Sequence, residues 1–338
     1  MKTLLGTSAI FFAAAASLLA SIDGTVINRT GGKPQSGVSI TLVKPGTQGM
    51  QTIGTAVSDG SGRFRFENDQ PGGGPQLLQA NYKGVNYNKL MTPNIPTSGV
   101  ELDVYEATKS PSVARIAQHM LLIEPSLSRI NVDETIILQN DGNTTFNNDA
   151  LGAIRFYLPP AANGQARISA RGPQGMPIPR PAEKTEENDL FKVQFPVKPG
   201  ETEFQVTYVL PVGSPFTFQG RVVNIKGMSV GPLRLVAPSG VTLAGTDIQQ
   251  VGTEPTTRAS IYNVVSGSNF SVDISGTGAL HNNVESSSAD NSDSPPLTEG
   301  RPQIYSHLTL LMVLTFSILG AGLILLFRSP PAHSQHGK

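Results

Sequence analysis

The residues that could catalyse hydrolysis are sparse in this chain, and histidine is the scarcest of them. Only His119 and His281 precede His307, which borders the C-terminal apolar run, and His281 falls in a segment rich in Ser, Asp and Pro. A triad of Ser, His and Asp would therefore have to use His119. His119 adjoins the apolar residues 120–123, which is typical of a strand residue, so we predict no catalytic residue and no enzymatic activity. A membrane-tethered hydrolase built on His119 is the alternative hypothesis.

Metal ligands are also scarce. The chain has no Cys, and residues 21–275 contain no His-x-x-x-His or Glu-x-x-His pair, so no zinc site is predicted. The oxygen-rich segments 59–62 and 140–143 lack the ligand series of a calcium loop. The 25 Lys+Arg residues balance 25 Asp+Glu, which leaves no basic surface for a nucleic acid. We predict no metal, no other cofactor and no nucleic-acid partner.

Aromatic and amide side chains provide the best candidate for ligand binding. Sugar sites usually rest on exposed aromatic rings, and this chain has no Trp. The segment 82–88 places Tyr82, Asn86, Tyr87 and Asn88 close together in sequence, with two aromatic rings and two amides. We take these four residues as the candidate ligand or partner surface. The alternative is that they form an ordinary hairpin face.

The two ends of the chain predict its location. Residues 1–20 have one positive charge, then an apolar stretch, then small residues before Ser21, which is the plan of a secretory signal peptide. Residues 308–327 carry no charge and, as a helix, are long enough to span a bilayer. The tail 328–338 begins with Arg328, whereas four acids and one base precede the apolar run, so we place the tail in the cytoplasm.

The same reasoning places the body of the protein outside the cytoplasm, in the periplasm or at the cell surface. Residues 276–307 are rich in Ser, Asp and Pro and poor in apolar residues, so we predict a flexible acidic stalk. The lipid bilayer is then one partner of the chain, through residues 308–327. The absence of Cys favours a bacterial cell envelope.

Between these ends the sequence predicts an all-β protein. Residues 21–107 show short runs of alternating apolar residues separated by Gly, Pro, Asn and Asp, which indicates a β-sandwich of about seven strands. The turn before residue 64 has an Asp that can bond its own backbone and a Gly that can adopt positive φ. Seven residues stand at turns or at alternating positions of these runs: Gly24, Pro34, Gly37, Asp59, Gly62, Phe64 and Phe66.

These motif residues, in three blocks in order, resemble the carboxypeptidase regulatory-like family. The resemblance covers residues 21–107, about a quarter of the chain. It implies a transthyretin-like (prealbumin-like) sandwich that serves as a non-catalytic accessory or structural module. It also implies a fold of the kind that binds carbohydrate in some related domains. The rest of the chain resembles no family with specific motifs.

Residues 108–275 are predicted to form a second, larger β-sandwich region. Alternation is clear in 130–138, and residues 191–197 and 204–210 alternate on either side of a Pro-Gly turn, which predicts an antiparallel hairpin. A similar turn at 140–143 predicts another hairpin. Residues 111–123 fit a helix or a strand, and we favour the strand. Similar strand ends at 156–159 and 208–211 leave open whether the region is one sandwich or two.

The sequence therefore predicts a single-pass envelope protein that presents β-sandwich modules. The primary hypothesis is a non-catalytic structural or protein–protein interaction role, with an envelope protein as the unknown partner. The alternative is a carbohydrate-binding surface protein with a glycan as its ligand. The Pro-rich loop 172–190 is unusually long, so we expect a partner to contact the protein there.

Overall fold

A computed structural model of the protein describes residues 21–46, 49–67, 74–92, 95–212 and 216–280. These residues belong to one compact unit. Apart from two single turns of 3-10 helix, at Pro111–Val113 and Pro160–Ala162, their regular structure consists of strands, so the all-β prediction is confirmed.

The predicted signal peptide, membrane helix and cytoplasmic tail lie outside the described residues. In the part of the chain that the structure describes, no helix has the length and apolar character needed to cross a membrane. Of the predicted stalk, only residues 276–280 are described. Their backbone is held to the body, because Gly278 N donates to Pro125 O at 3.1 Å and Leu280 N donates to Glu124 Oε1 at 2.6 Å.

The described residues form 25 strands, several of them only two to four residues long. The strands are β1 (Ser21–Asn28), β2 (Lys33–Pro34), β3 (Ser39–Gly46), β4 (Gly49–Val57), β5 (Arg63–Glu67), β6 (Gln76–Tyr82), β7 (Val85–Met91), β8 (Val100–Val104), β9 (Ala107–Thr108), β10 (Arg115–Pro125), β11 (Arg129–Asn140), β12 (Thr145–Phe146), β13 (Ile154–Tyr157), β14 (Arg167–Arg171), β15 (Ile178–Arg180), β16 (Glu183–Lys184), β17 (Leu190–Val193), β18 (Gly200–Pro211), β19 (Phe216–Arg221), β20 (Ser229–Val230), β21 (Leu233–Ala237), β22 (Val241–Ala244), β23 (Ile248–Thr253), β24 (Ser260–Val264) and β25 (Asn269–Gly276).

The first eight strands form two four-stranded sheets with a shared core. In one sheet β1 is central, with β8 parallel to it on one side and β5 and β2 antiparallel to it on the other. The second sheet has the antiparallel order β4-β3-β6-β7. Alternate residues of both sheets point inward, among them Val26, Phe64, Ile40 and Leu78, and bury their apolar surface against one another. We call this part the N-terminal sandwich.

The remaining strands build a larger, two-layered structure. One layer is a sheet of nine strands, in the order β15-β14-β18-β11-β10-β21-β24-β23 with β20 also beside β10; we call it the large sheet. The other layer contains two three-stranded sheets, β13-β17-β16 and β19-β25-β22, which we call the β17 sheet and the β25 sheet. A single cluster of buried residues joins all three sheets, with Ile136 in the large sheet, Phe156 in the β17 sheet and Phe218 in the β25 sheet.

The segment from residue 111 to 123 is a strand, as we favoured. After the short 3-10 turn, β10 runs from Arg115 to Pro125 and pairs with β11 along almost its whole length. The predicted alternation over 130–138 is also confirmed, because the even-numbered residues of β11 are the buried ones.

Both predicted hairpins of this region are wrong. Residues 190–193 form β17, which pairs with β13 and β16, whereas β18 pairs with β11 and β14 in the opposite layer. The Pro-Gly turn therefore carries the chain between layers rather than back along the same sheet. The turn at 140–143 likewise leaves the large sheet, since the next strand, β12, pairs in parallel with β9. The alternation identified the strands but not their partners. Strands of opposite layers both point their apolar residues into the same core, so they alternate in the same way as two strands of one sheet.

Two strands at sheet edges contain a β-bulge. In the β3–β4 pair Leu42 faces Gly54 and Val43 faces Thr52, which leaves Ile53 as an extra residue. In the β23–β24 pair the extra residue is Val251. β4 and β23 contain no charged residue and no Pro, whereas the edge strands β5, β7, β8 and β15 each carry at least one charge.

Candidate functional site

The motif turn of the N-terminal sandwich is built around Asp59. Its Oδ1 accepts hydrogen bonds from the backbone N of Ser61 and of Arg63, both at 2.8 Å. Gly62 has φ of 75°, and a Cβ there would crowd Pro34 and the backbone beside it. The turn therefore needs both an Asp and a Gly for reasons of geometry, and no ligand enters that explanation.

The other motif residues shape the core of the same sandwich. Phe64 and Phe66 are buried with their rings in edge contact, 6.0 Å between centroids. Gly24 has no room for a side chain, because a Cβ would overlap the Val100 carbonyl oxygen. Gly37 has φ of 72° just before β3. These positions explain the motif as architecture.

Tyr87, the central residue of the sequence-predicted surface, is buried rather than exposed. Only 3% of it is accessible, and its hydroxyl lies 2.9 Å from Thr145 Oγ1 and donates to the Tyr105 carbonyl at 3.0 Å. Lys198 Nζ lies 5.1 Å from the centre of its ring. Because Thr145 and Lys198 belong to the second region, Tyr87 is a contact between the two sandwiches and presents no open aromatic face.

Asn86 and Lys198 form the rim of that contact. Lys198 Nζ donates to the backbone carbonyl of Asn86 at 2.6 Å, and burial lowers the pKa of Lys198 to about 8. The Asn86 side chain accepts a hydrogen bond from Asn81 at 2.7 Å. Asn88 is exposed on β7, opposite Gln79.

Tyr82 belongs to a polar cluster on the same side of the sandwich. Its hydroxyl donates a short hydrogen bond to Glu106, and Asn28 Nδ2 donates to the same carboxylate oxygen at 2.8 Å and to Gln35 Oε1 at 3.0 Å. Burial and the Glu106 carboxylate raise the pKa of Tyr82 to about 12, while the hydrogen bond from Tyr82 lowers the pKa of Glu106. Tyr82 is thus engaged within the protein.

We call the contact between Tyr87, Thr145, Lys198 and their neighbours the junction. It is extended by Thr30 Oγ1, which donates to the Asn143 carbonyl at 2.5 Å, and by the parallel pairing of β9 with β12. Hydrogen bonds, a buried ring and a short ladder therefore link the N-terminal sandwich to the second region. The hairpin that the sequence suggested as a ligand surface is part of this link.

His119 is buried, as its position in an apolar strand suggested, but it has an acidic partner. His119 is 5% exposed, and its Nε2 lies 2.6 Å from Oε1 of Glu134, which is 4% exposed. The two residues lie on neighbouring strands, β10 and β11, and Glu134 lines a small void together with Phe218 and Phe270 of the β25 sheet. This pair could not be predicted from the sequence, because Glu134 occupies a core-facing position in an alternation that is otherwise apolar.

Tyr208 extends the polar part of this core. It is 3% exposed, and burial, followed by the nearby Glu134 and Tyr157, raises its pKa. Its hydroxyl has no hydrogen-bond partner among the described residues. An internal void of about 10 Å³, close to the space one water needs, is lined by Glu134, Tyr208, Tyr157 and Arg221 together with apolar neighbours.

Residues 227–231 form a Gly-x-Ser-x-Gly pattern, so Ser229 is a candidate nucleophile for His119. Ser229 is exposed on the two-residue strand β20, opposite Arg115. His119 is four residues further along β10, which is about 13 Å of strand, and it is buried. The two side chains therefore do not form a nucleophile–base pair in this structure.

An open cleft lies above the void, on the solvent face of the β25 sheet. Its volume is about 400 Å³. Two cross-strand pairs form its base, Gln219 opposite Ser271 and Arg221 opposite Asn269. Tyr157 at the end of β13 forms one wall, with the Arg221 guanidinium 5.4 Å from its ring centre.

Asp247, in the loop between β22 and β23, borders the same cleft. Its Oδ2 accepts a hydrogen bond from Ser271 N at 2.9 Å, and Arg221 Nε donates to Asn269 Oδ1 at 3.2 Å. The cleft and the void beneath it share Tyr157, Gly220, Arg221 and Phe270 as lining residues. A polar surface site is therefore placed directly over the buried Glu134 and Tyr208.

The loop 172–190 is more ordered than its composition suggested. It contains β15, at the edge of the large sheet, and β16, at the edge of the β17 sheet, so it crosses between the two layers. Met176 remains 83% exposed and Ile178 42% exposed. From its acidic end, Glu187 approaches Arg221 to 3.9 Å.

The described part of the chain contains no group of three or more His, Asp or Glu residues placed to hold a metal ion. Known proteins add no assignment: no protein family matches the chain, and no curated protein is similar to it. The resemblance of residues 21–107 to the carboxypeptidase regulatory-like family therefore stays a prediction.

Proposed function

We propose that this chain is a non-catalytic protein of the bacterial envelope, anchored in the membrane by residues 308–327, whose two β-sandwich regions act together to bind an envelope protein. The observation that carries the proposal is the junction. Tyr87 is buried against Thr145 and Lys198, so the two regions keep a fixed relation to each other. A rigid pair of sandwiches suits the presentation of a binding surface.

The absence of a catalytic arrangement around His119 also supports a binding role. His119 has a carboxylate partner, but the serine of the Gly-x-Ser-x-Gly pattern is about 13 Å away along the strands. Since Ser229 is too far from His119 to be activated by it, the buried His–Glu pair is well explained as a polar element of the core. The proposal therefore treats His119 and Glu134 as structural residues.

The loop 172–190, which crosses between the two layers, is the proposed contact for the protein partner. We call it the crossing loop. Met176 lies between β14 and β15 and Ile178 begins β15, so these two exposed apolar side chains are held close to the edge of the large sheet. Apolar residues at a fixed, exposed position can enter a partner's pocket at little entropic cost.

The test is site-specific photocrosslinking of the full-length chain in its own membrane. A benzophenone side chain replaces Met176 in one variant and the exposed Thr242, on the β25 sheet, in the control variant. We expect one discrete adduct from position 176 and none from position 242, and we expect Ile178→Asp to abolish the adduct. Equal adducts from both positions, or none from position 176, would contradict the proposed contact.

The anchoring is tested separately. A chain truncated before Leu308 should appear in the soluble extracytoplasmic fraction, whereas the full-length chain should remain with the membranes after carbonate extraction. If the truncated chain stayed in the membrane fraction, the predicted span would be wrong.

A further inference from the structure

The cleft on the β25 sheet has polar groups that the protein itself does not use. The Gln219 amide and the hydroxyls of Ser271 and Tyr157 make no hydrogen bond with any described residue, and the terminal nitrogens of Arg221 have only the distant Glu187. Asp247 has one oxygen bonded to Ser271 N, and the second has no bond to the described chain. Donors and acceptors therefore occur together in about 400 Å³.

The charges of the cleft favour a neutral ligand. Arg221 would attract a phosphate or carboxylate, but Asp247 beside it and Glu187 next to it would repel the same group. An ammonium group would be attracted by the acids and repelled by Arg221. A neutral molecule with many hydroxyls avoids both penalties and can pair with donors and acceptors alike.

The space directly below the cleft has room for an ordered water. Tyr208 is 3% exposed, and its hydroxyl forms no hydrogen bond with another described residue. The small void next to it reaches from Glu134 up to Tyr157 and Arg221, which also line the cleft. The void has room for about one water, which would form a hydrogen bond with the Tyr208 hydroxyl that lines it.

We propose that this cleft binds a neutral saccharide. The sugar hydroxyls would form hydrogen bonds with Gln219, Asn269 and Asp247. The carbon face of the sugar ring would lie against the Tyr157 side chain. The inference goes beyond the protein-binding role proposed above and does not rest on it. It also locates sugar binding away from the hairpin of Tyr82 and Tyr87, whose groups are used at the junction.

The experiment measures binding to the purified full-length chain in a detergent without a sugar headgroup. The probes are maltotriose, cellotriose and triacetylchitotriose, compared with inorganic phosphate and galacturonate, by saturation-transfer NMR and calorimetry. We expect at least one neutral trisaccharide to bind with a Kd of about 1 mM or lower. Gln219→Ala should weaken it about fivefold or more, since one ligand hydrogen bond is lost.

Thr242→Ala is the matched control, because Thr242 is exposed on the same face of the same sheet and does not line the cleft. It should leave the affinity unchanged. No binding of any neutral trisaccharide would overturn the proposal. Equal effects of the two variants would overturn the location, and binding of the anionic probes alone would overturn the ligand class. None of these results would bear on the crosslink at Met176.

Discussion

At the scale of single residues, the protein holds ionisable groups where water cannot fully solvate them. Glu134 and His119 share a hydrogen bond in the core, and Lys198 is largely enclosed at the junction, bonded to a carbonyl rather than to a carboxylate. Removing the hydrogen-bond partner of such a group should therefore lower the free energy of unfolding.

The pair of His119 and Glu134 should be strongly coupled. Glu134→Ala leaves a buried imidazole without its partner, so we expect a loss of about 3 kcal/mol in the free energy of unfolding, and a similar loss for His119→Ala. The double variant His119→Ala/Glu134→Ala should lose less than the sum of the two single changes. Denaturant unfolding of the four proteins measures this coupling.

The exposed pair of Arg171 and Glu203 is the control for that measurement. Arg171 is about half exposed, and surface ion pairs contribute little to stability. Glu203→Ala should therefore cost much less than Glu134→Ala. Similar losses in the free energy of unfolding for the two substitutions would show that the buried pair contributes no more to stability than the exposed one.

Lys198 predicts a pH dependence of the junction. Because burial lowers its pKa in the folded state to about 8, the unfolded chain binds more protons between about pH 8 and 10, and stability should rise with pH in that window. Lys198→Met keeps the stem and removes the titration, so its Tm should lack this rise. The measurement is the difference in Tm between the two proteins at pH 7 and pH 9.5. A constant difference would contradict the prediction.

At the scale of elements, the β25 sheet depends on a close approach between neighbouring strands. Gly220 on β19 lies opposite Phe270 on β25, and a Cβ at Gly220 would overlap the Phe270 ring. The ring is part of the core and lines both the cleft and the void. The absence of a side chain at Gly220 thus leaves the space that the Phe270 ring occupies.

Gly220→Ala should therefore destabilise the protein by about 1–3 kcal/mol through overpacking. The matched control is Gly267→Ala, since nothing lies within 4 Å of a Cβ at that position and its φ is not positive. This control should be neutral or slightly stabilising. Thermal unfolding of both variants is the measurement, and equal Tm values would contradict the stated role of Gly220.

The strands of this protein could be predicted from sequence more reliably than their partners. Alternation of apolar residues identified β11 and β18, since a strand with one buried face has a period of two. The same alternation occurs whether the next strand returns in the same sheet or crosses to the opposite layer. The segment around Lys198 crosses, so the predicted hairpin failed.

The candidate site was harder to predict for a similar reason. The sequence offered Tyr82, Asn86, Tyr87 and Asn88 because they are close together in the chain. The cleft instead unites Tyr157, Arg221 and Asp247, which are separated by up to 90 residues and meet only when two small sheets lie side by side. Long-range pairing of this kind has no local sequence signal.

At the scale of the whole molecule, the two sandwich regions are linked at several points rather than through a single hinge. The junction combines a buried ring, the β9–β12 ladder and the hydrogen bond from Thr30 to Asn143. Together these contacts restrict the relative motion of the regions. The cleft, the crossing loop and the N-terminal sandwich therefore keep fixed distances from one another, which a multivalent partner could use.

The bulges at Ile53 and Val251 have a consequence for many copies held side by side. Among the described edge strands that lack charge and proline, β4 and β23 are the longest, and long uncharged edges are the ones that recruit a neighbouring chain. The extra residue interrupts the row of free backbone groups on each of them. Neighbouring molecules could form only broken ladders along these edges, so a densely populated surface would remain a layer of separate proteins instead of growing into fibres.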